Sequence, residues 1–345
     1  MPEVFIISAV RTPLAVHLPL AGPELAELVC QEAARRAGID PGRLEDLVWS
    51  GCGQSRSRAG IQRRVESQSG ITSRLAPVMV ERGDLSSQQA LHFAAQAILA
   101  GDADLLLTGG CELRKSKARQ RSETGELEQE ADLRRYRFES RERARQAVEA
   151  DWFDRQLVPI PPRHLRDQVL STMESPETPG ESATKTGSRA LDLEALPCSG
   201  AAALVLASTR AVGRLNLSPL ARIAGRGLAG IVSSRAARSP EKMQPITVAT
   251  RRVLQQAGLS LEEIDIFEID EHCPAWMLDW RREFQLEMQR VNPTGGALAF
   301  GHPAGAAGAI WATRLVHELI RNNLKYGLLV GAAAETAAAT LIERV

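Results

Sequence analysis

Apolar residues fall into two alternating patterns along the first third of the chain. Short continuous runs, typical of buried strands, cover four segments: residues 4–9, 47–49, 77–80 and 105–107. Between them, apolar positions recur at helical spacing in two stretches: residues 23–37 and 86–100. Strands that alternate with helices predict a layered α/β fold.

The second half of the chain repeats features of the first half. A helix end and a following strand at residues 37–49 have a counterpart with the same internal spacing at residues 257–267. The helix predicted for 86–100 and its strand at 105–107 are matched by a helix at 306–322 and a strand at 328–330. A repeat of this length predicts two similar α/β halves that pack together.

The segment between these halves has a different composition. Residues 114–155 are rich in arginine and glutamate with few apolar anchors, which predicts one or two surface helices with solvated charged faces. Residues 159–187 contain five prolines and predict a loop or lid over the sheet. A buried strand resumes at residues 198–206.

Composition excludes several classes of function. The 345 residues contain 42 lysines and arginines and 42 aspartates and glutamates, so the net charge favours no nucleic-acid partner. No apolar run reaches the roughly 18 residues of a membrane span, and the first residues predict a strand, not a signal peptide. Five scattered cysteines without Cys-x-x-Cys spacing indicate reduced thiols in the cytoplasm, with neither a disulfide nor a metal site.

One glycine-rich stretch, residues 291–305, is the most specific local feature. Its four glycines and two prolines exclude a regular helix or a central strand and indicate close backbone approach to a neighbour. A tight connection between two buried elements would explain this composition without any catalytic role. The stretch also places one imidazole, His302, at a defined point.

Several segments resemble the thiolase superfamily. The motif Gly-Gly-Ala-x-Ala-x-Gly-His-Pro-x-Gly-Ala-x-Gly at residues 295–308 resembles the C-terminal active-site loop of thiolases. Further similar segments follow in the family's order: residues 8–13, 94–104, 200–206 and 341–344.

This resemblance implies a five-layer αβαβα fold, a dimer, and a coenzyme A thioester as ligand without a permanently bound cofactor. It divides the chain into an N-terminal half of residues 1–112 and 190–212, a shortened loop region of 113–189, and a C-terminal half of 213–345. Gly301, Gly296 and Ser86 are its candidates for contact with the coenzyme. Arginines within 134–144 could meet phosphates, although a solvated helix face explains them equally well.

The same resemblance shows departures at the positions that carry thiolase chemistry. Thiolases have a nucleophilic cysteine at a helix N-terminus, and counting along the chain places Asp84 there, followed by Leu85 where the family has glycine. The second catalytic cysteine maps onto Gly331. Asp270 replaces an asparagine of the oxyanion site, where an anion would oppose a developing enolate. The carboxylate of Asp84 is expected to cap its helix.

Two interpretations follow, with a third kept open. The first is a thiolase-like subunit that binds an acyl-CoA without Claisen or thiolysis activity, as a homodimer or with an active thiolase-like partner, and it is favoured. The second is an enzyme of altered chemistry, performing retro-aldol cleavage, decarboxylation or hydrolysis with Asp84, Asp270 and His302. The third is an acyltransferase with a relocated cysteine, Cys273 or Cys111. His272 is a further candidate that otherwise packs or caps.

Overall fold

The computed structural model describes seven segments of the chain: residues 2–50, 77–113, 127–160, 195–230, 245–272, 274–333 and 336–345. Nine strands lie within them: β1 (Val4–Arg11), β2 (Asp46–Ser50), β3 (Val78–Val80), β4 (Leu105–Glu112), β5 (Gly200–Ser208), β6 (Ala221–Gly230), β7 (Ile266–Ile269), β8 (Tyr326–Ala333) and β9 (Thr336–Arg344). They form one hydrogen-bonded set in the order β3-β2-β4-β5-β1-β6-β9-β8-β7.

The strand order shows the duplication that the sequence predicts. In the first half β2 and β4 are parallel, and β4, β5 and β1 are successively antiparallel. In the second half β7 and β8 are parallel, and β8, β9 and β6 are successively antiparallel. The halves join where Phe5 and Ile6 pair with Arg222 and Ala221. The chain is therefore two sheets of like topology joined at their inner edges.

Eight α-helices complete the described part of the chain: α1 (Gly22–Arg36), α2 (Ser86–Ala100), α3 (Leu127–Glu149), α4 (Thr209–Leu215), α5 (Pro245–Ala257), α6 (Pro274–Phe284), α7 (Ala297–Phe300) and α8 (Ala307–Arg321). Helix α1 covers the outer face of the first sheet, and α5 covers the outer face of the second. Helices α2 and α8 pack against each other between the sheets. This arrangement is the αβαβα layering that the resemblance implies.

The elements with strong periodicity form where the sequence places them. Helix α2 begins and ends at the predicted residues, and α8 is one residue shorter at each end than the predicted helix. Their buried faces carry small and branched apolar side chains, because two helices share one narrow layer between sheets. Gly308 of α8 lies so close to the backbone of Gln88 in α2 that a methyl group there would overlap it.

The charged central segment differs from its prediction. Helix α3 does carry exposed arginine–glutamate pairs, such as Arg145 with Glu142. It also has a continuous buried face at helical spacing, formed by Leu133, Tyr136, Ser140, Ala144 and Ala147. This face packs against α7 and α6, so α3 supports the interior and is not a purely solvated helix. The predicted lid at residues 159–187 lies almost wholly outside the described residues.

Among the described residues, no helix is both long enough and apolar enough to cross a membrane.

Candidate active site of carboxylates and imidazoles

Two of the four site residues follow the parallel strand β7. Asp270 comes directly after Ile269, and its N–H donates to the Val330 carbonyl of β8 at 3.0 Å. His272 lies two residues further, and its N–H donates to Asp270 Oδ1 at 3.2 Å. In the turn that follows β7, the side chains of Asp270 and His272 lie together, whereas the Glu271 carboxyl group bonds to Tyr136 and Asn292. Ligand sites commonly form at such carboxyl ends of strands.

His302 is fixed by the backbone of the glycine-rich stretch. Gly301 has φ +93°, a conformation that a side chain would strain, and it turns the chain after the short helix α7. The His302 N–H donates to the Leu196 carbonyl at 2.7 Å, and its carbonyl accepts from the Cys198 N–H at 3.2 Å. The imidazole is therefore held by main-chain bonds on both sides of its residue.

Asp84 lies in a turn just before α2. Gly83 has φ +54°, and the hydroxyl of Ser86 accepts from the Arg82 N–H at 2.8 Å and donates to the Gly83 carbonyl at 2.6 Å. The expectation that Asp84 caps α2 is wrong: the N-cap residue is Leu85, without a side-chain cap bond. The turn directs the Asp84 carboxylate at the two imidazoles instead.

These four side chains form one cluster in which each carboxylate contacts both rings. His302 Nδ1 lies 3.1 Å from Asp270 Oδ1, and His302 Nε2 lies 3.4 Å from Asp84 Oδ1. His272 Nδ1 lies 3.4 Å from Asp270 Oδ2, and His272 Nε2 lies 3.7 Å from Asp84 Oδ2. The two rings stack with centroids 4.9 Å apart. Asp270 thus faces both Nδ1 atoms, and Asp84 faces both Nε2 atoms.

Exposure rises across the cluster from Asp270 to Asp84. The exposed fraction of the side chain is 3% for Asp270, 11% for His302, 17% for His272 and 30% for Asp84. Neither ring nitrogen of His302 makes an aligned hydrogen bond among the described residues, although both are buried. The contacts are therefore charge contacts, and the open side of the cluster is at Asp84.

The electrostatics favour a proton on His302 and ionised carboxylates. Burial alone would lower the pKa of His302, but the charges of Asp270 and Asp84 outweigh it and raise that pKa to about 10. Burial would raise the pKa of Asp270 and of Asp84, but their contacts with the imidazoles hold both pKa values below the ordinary range. A proton donor and a proton acceptor therefore lie side by side at neutral pH.

Glu271 lies between Asp270 and His272 in the sequence, and its side chain anchors the surrounding loops. Its carboxyl group accepts from the Tyr136 hydroxyl, from Asn292 Nδ2 at 2.5 Å and from the Leu298 N–H at 3.0 Å. Asn292 also pairs with the backbone of Ile269 in both directions, at 2.7 and 3.0 Å. These bonds join β7, α3 and the glycine-rich stretch into one unit that holds His302 against Asp270.

The remaining predicted site residues have structural surroundings that the sequence did not indicate. A methyl group on Gly296 would lie 2.4 Å from Glu271 Cδ, so glycine is needed for close approach. A methyl group on Gly331 would lie 2.9 Å from Leu85 Cδ2 and 2.7 Å from Gln88 Oε1. Leu85 therefore fills the space beside Gly331, where the resemblance expects a cysteine. Arg143, from the arginine-rich segment, donates from Nε to the Asn292 carbonyl at 3.2 Å.

The cysteine candidates do not supply a nucleophile within the described residues. Gly110 faces Ser50 and Ser87, and Cys111 next to it points to the opposite face of the sheet, among Cys30 and Trp49. The expectation that Cys111 lies near His302 is therefore wrong. Cys273 lies outside the described residues.

Comparison with known proteins agrees with the fold. Two family models match the chain: "Thiolase, N-terminal domain" over residues 4–127 and "Thiolase, C-terminal domain" over residues 218–344. A steroid 3-ketoacyl-CoA thiolase of Mycobacterium tuberculosis is 30% identical, over 100% of this chain and 95% of that protein. A probable acetyl-CoA acetyltransferase of Escherichia coli is 28% identical, over 95% of each.

Solved structures show the same fold. The acetyl-CoA acetyltransferase of Syntrophomonas wolfei superposes with a TM-score of 0.84 at 24% identity, covering 100% of this chain and 99% of that one. Human mitochondrial 3-ketoacyl-CoA thiolase in complex with CoA superposes with a TM-score of 0.83 at 22% identity, covering 99% and 98%.

Proposed function

The chain belongs to the thiolase family, and we propose that it acts on an acyl-CoA thioester by acid–base chemistry in place of thiol chemistry. One observation carries this proposal: the Asp84 carboxylate lies 3.4 Å from His302 Nε2, at the position that the resemblance gives to the nucleophilic cysteine. An acyl–carboxylate anhydride is far more labile than a thioester, so Asp84 is suited to proton transfer and not to acyl transfer.

Retro-aldol cleavage of a β-hydroxyacyl-CoA matches these groups best. Asp84 takes the proton of the β-hydroxyl, and the bond between Cα and Cβ breaks. The electron pair of this bond stays on Cα and is delocalised into the thioester carbonyl as an enolate. Cβ leaves as the carbon of an aldehyde or ketone. His302 gives its proton to the enolate, which yields the shorter acyl-CoA. The protonated imidazole offsets the negative charge of Asp270, which by itself would oppose the enolate.

The substrate class follows from the relatives, whose names specify acetyl-CoA and 3-ketoacyl-CoA. A structural neighbour is described in complex with CoA. We propose that the ligand here is an acyl-CoA, without a permanently bound organic cofactor. Ser86, Gly296 and Gly301 stay proposals as contacts of the coenzyme, and the hydroxyl of Ser86 already bonds within its own turn.

A non-catalytic acyl-CoA-binding subunit is the second candidate function. It is favoured by Asp84 and Leu85 at the family's nucleophile position and by Gly331 at its second cysteine position. Such a subunit would work in the cytoplasm as a homodimer or beside an active thiolase-like chain. The domain division at residues 112, 189 and 212 also remains a proposal.

The two functions are separated by assay of the purified chain on a panel of β-hydroxyacyl-, β-ketoacyl- and simple acyl-CoA esters. Cleavage yields a carbonyl compound and a shorter acyl-CoA, whereas hydrolysis yields free CoA thiol.

We expect Asp84→Asn to lower kcat by about 10²- to 10⁴-fold while the fold is kept. Asp102→Asn, an exposed aspartate at the end of α2, is the matched control. Binding of the esters with no turnover would favour the second candidate, and unchanged rates in Asp84→Asn would contradict the first.

A further inference from the structure

We propose that Asp84, His272 and His302 bind one divalent transition-metal ion, and that Asp270 orients both imidazoles for it. Nothing in the cysteine pattern indicates this site, and the sequence analysis predicted no metal. The metal site rests on the proposed function only for the reaction that the ion would assist. Metal binding itself is tested without turnover.

Three groups that can ligate a metal lie close together. One atom from each of Asp84, His272 and His302 can be chosen so that all lie within 4.8 Å of one another. The Asp84 oxygens lie 3.4 Å and 3.7 Å from the Nε2 atoms of His302 and His272. Ligands about 2.1 Å from a tetrahedral zinc ion are about 3.4 Å apart, so the two oxygen–nitrogen separations are near the spacing that zinc requires.

Asp270 supplies the support that metal-bound histidines usually have. Its two oxygens lie 3.1 Å and 3.4 Å from the Nδ1 atoms of His302 and His272. The negative charge of a carboxylate near Nδ1 favours the proton on that nitrogen, which would leave the Nε2 lone pair available to a metal. Asp270 is the most buried of the four, and it is held from behind by the Val330 carbonyl. Asp270 therefore orients both imidazoles toward Asp84. Packing alone does not require such an arrangement of charged groups.

Charge and access are consistent with a divalent ion. With neutral imidazoles the two aspartates carry a formal charge of −2, which a divalent cation cancels in this partly buried place. Two imidazoles and one carboxylate form a ligand set of catalytic zinc sites, which keep a further position open. Solvent reaches this cluster at Asp84, whose side chain is 30% exposed. If bound, the ion would act as a Lewis acid that polarises the thioester carbonyl in place of the His302 proton, and Asp84 and His302 would then serve as its ligands and not as proton carriers.

Binding is measured on the full chain after treatment with EDTA and desalting. Calorimetric titration with Zn²⁺ should give one ion per chain, and Co²⁺ should give the visible absorption of a low-symmetry, four- or five-coordinate site. We expect His272→Gln and Asp84→Asn each to weaken Zn²⁺ binding by at least about tenfold, and Asp270→Asn by about 10- to 100-fold. His17→Gln removes an exposed histidine and is the matched control.

X-ray absorption at the zinc edge keeps the test decisive if a variant fails to fold. Two imidazole scatterers in the wild-type spectrum would support the site, and a shell without imidazole would overturn it. Absent stoichiometric binding, or equal affinity in His272→Gln and the wild type, would also overturn it. Binding without turnover supports the site and contradicts the reaction. Turnover that resists EDTA in a chain that binds no Zn²⁺ overturns the site and leaves the reaction standing.

Discussion

Leu85 and Gly331 are a pair of residues whose sizes compensate across the site. The resemblance to thiolases places a glycine at the first position and a cysteine at the second. Here the larger residue is the N-cap of α2 and the smaller lies on β8, and the Leu85 side chain occupies the space beside Gly331. Two departures that look unrelated in the sequence are therefore one local repacking.

This compensation predicts coupled effects on stability. Gly331→Ala should lower the free energy of unfolding by about 1–3 kcal/mol through overpacking against Leu85, and Leu85→Ala by about 2–5 kcal/mol through a cavity. The double variant should be more stable than the sum of the two losses by at least about 0.5 kcal/mol, because the added methyl group partly fills that cavity. Urea denaturation measures all three. Gly213→Ala in α4, where a methyl group meets nothing within 4 Å, is the control. Strict additivity would contradict the repacking.

The candidate site was only partly visible at the residue scale. Asp84, Asp270 and His302 were predicted from a family pattern, and the structure brings them together. His272 is only a further candidate in the sequence, because no local pattern shows that the turn after β7 brings its ring to Asp270. Glu271 was missed, because its value lies in partners that are about 20 and 135 residues away in sequence.

At the scale of elements, α3 is the unexpected support of the site. The many charges of this segment predict a solvated helix and conceal the apolar positions that recur every three or four residues. Tyr136 and Ser140, on that inner face, reach Glu271 and Gly296. A helix from the segment between the two halves therefore holds the loop of the second half in place.

We expect Tyr136→Phe to lower the free energy of unfolding by about 1.5–3 kcal/mol, because it leaves a buried carboxyl group without its hydroxyl donor. Chemical denaturation followed by tryptophan fluorescence measures the change. The chain has two tyrosines, and Tyr326→Phe is the matched control, since Tyr326 is partly exposed beside the exposed Lys325. An equal effect in both variants would contradict the anchoring role of α3.

At the scale of the whole molecule, we expect two histidines outside the site, the buried His92 and the partly buried His317, to lower stability in acid. Burial lowers the pKa of His92 to about 3, and burial also lowers the pKa of His317 to about 4 despite its hydrogen bond with the Ala9 carbonyl. Both rings lie in the central layer between the sheets. The unfolded chain therefore binds a proton on each ring at a higher pH than the folded chain does.

The sign of the effect follows from these directions. A histidine with a lowered folded pKa leaves stability intact above its ordinary value of 6.5 and reduces it as the pH falls toward the folded value. Relative to His317→Gln, the wild type should lose about 1.4 kcal/mol per pH unit between pH 6.5 and 4. Urea denaturation across this range tests it, with His17→Gln as the control. Parallel curves for the wild type and His317→Gln would contradict the assignment.

The sequence by itself determined the layered α/β fold, the duplication, the family and three of the four residues in the cluster. These features depend on local periodicity and on motifs, which are written in neighbouring residues. Tertiary structure decided the rest: Asp84 faces two imidazoles instead of capping a helix, Cys111 faces away, and α3 anchors the glycine-rich loop. Electrostatic interactions and packing contacts between residues far apart in sequence depend on the distance between them in the folded chain. The carboxylate–imidazole cluster therefore becomes apparent only when the two halves are packed together.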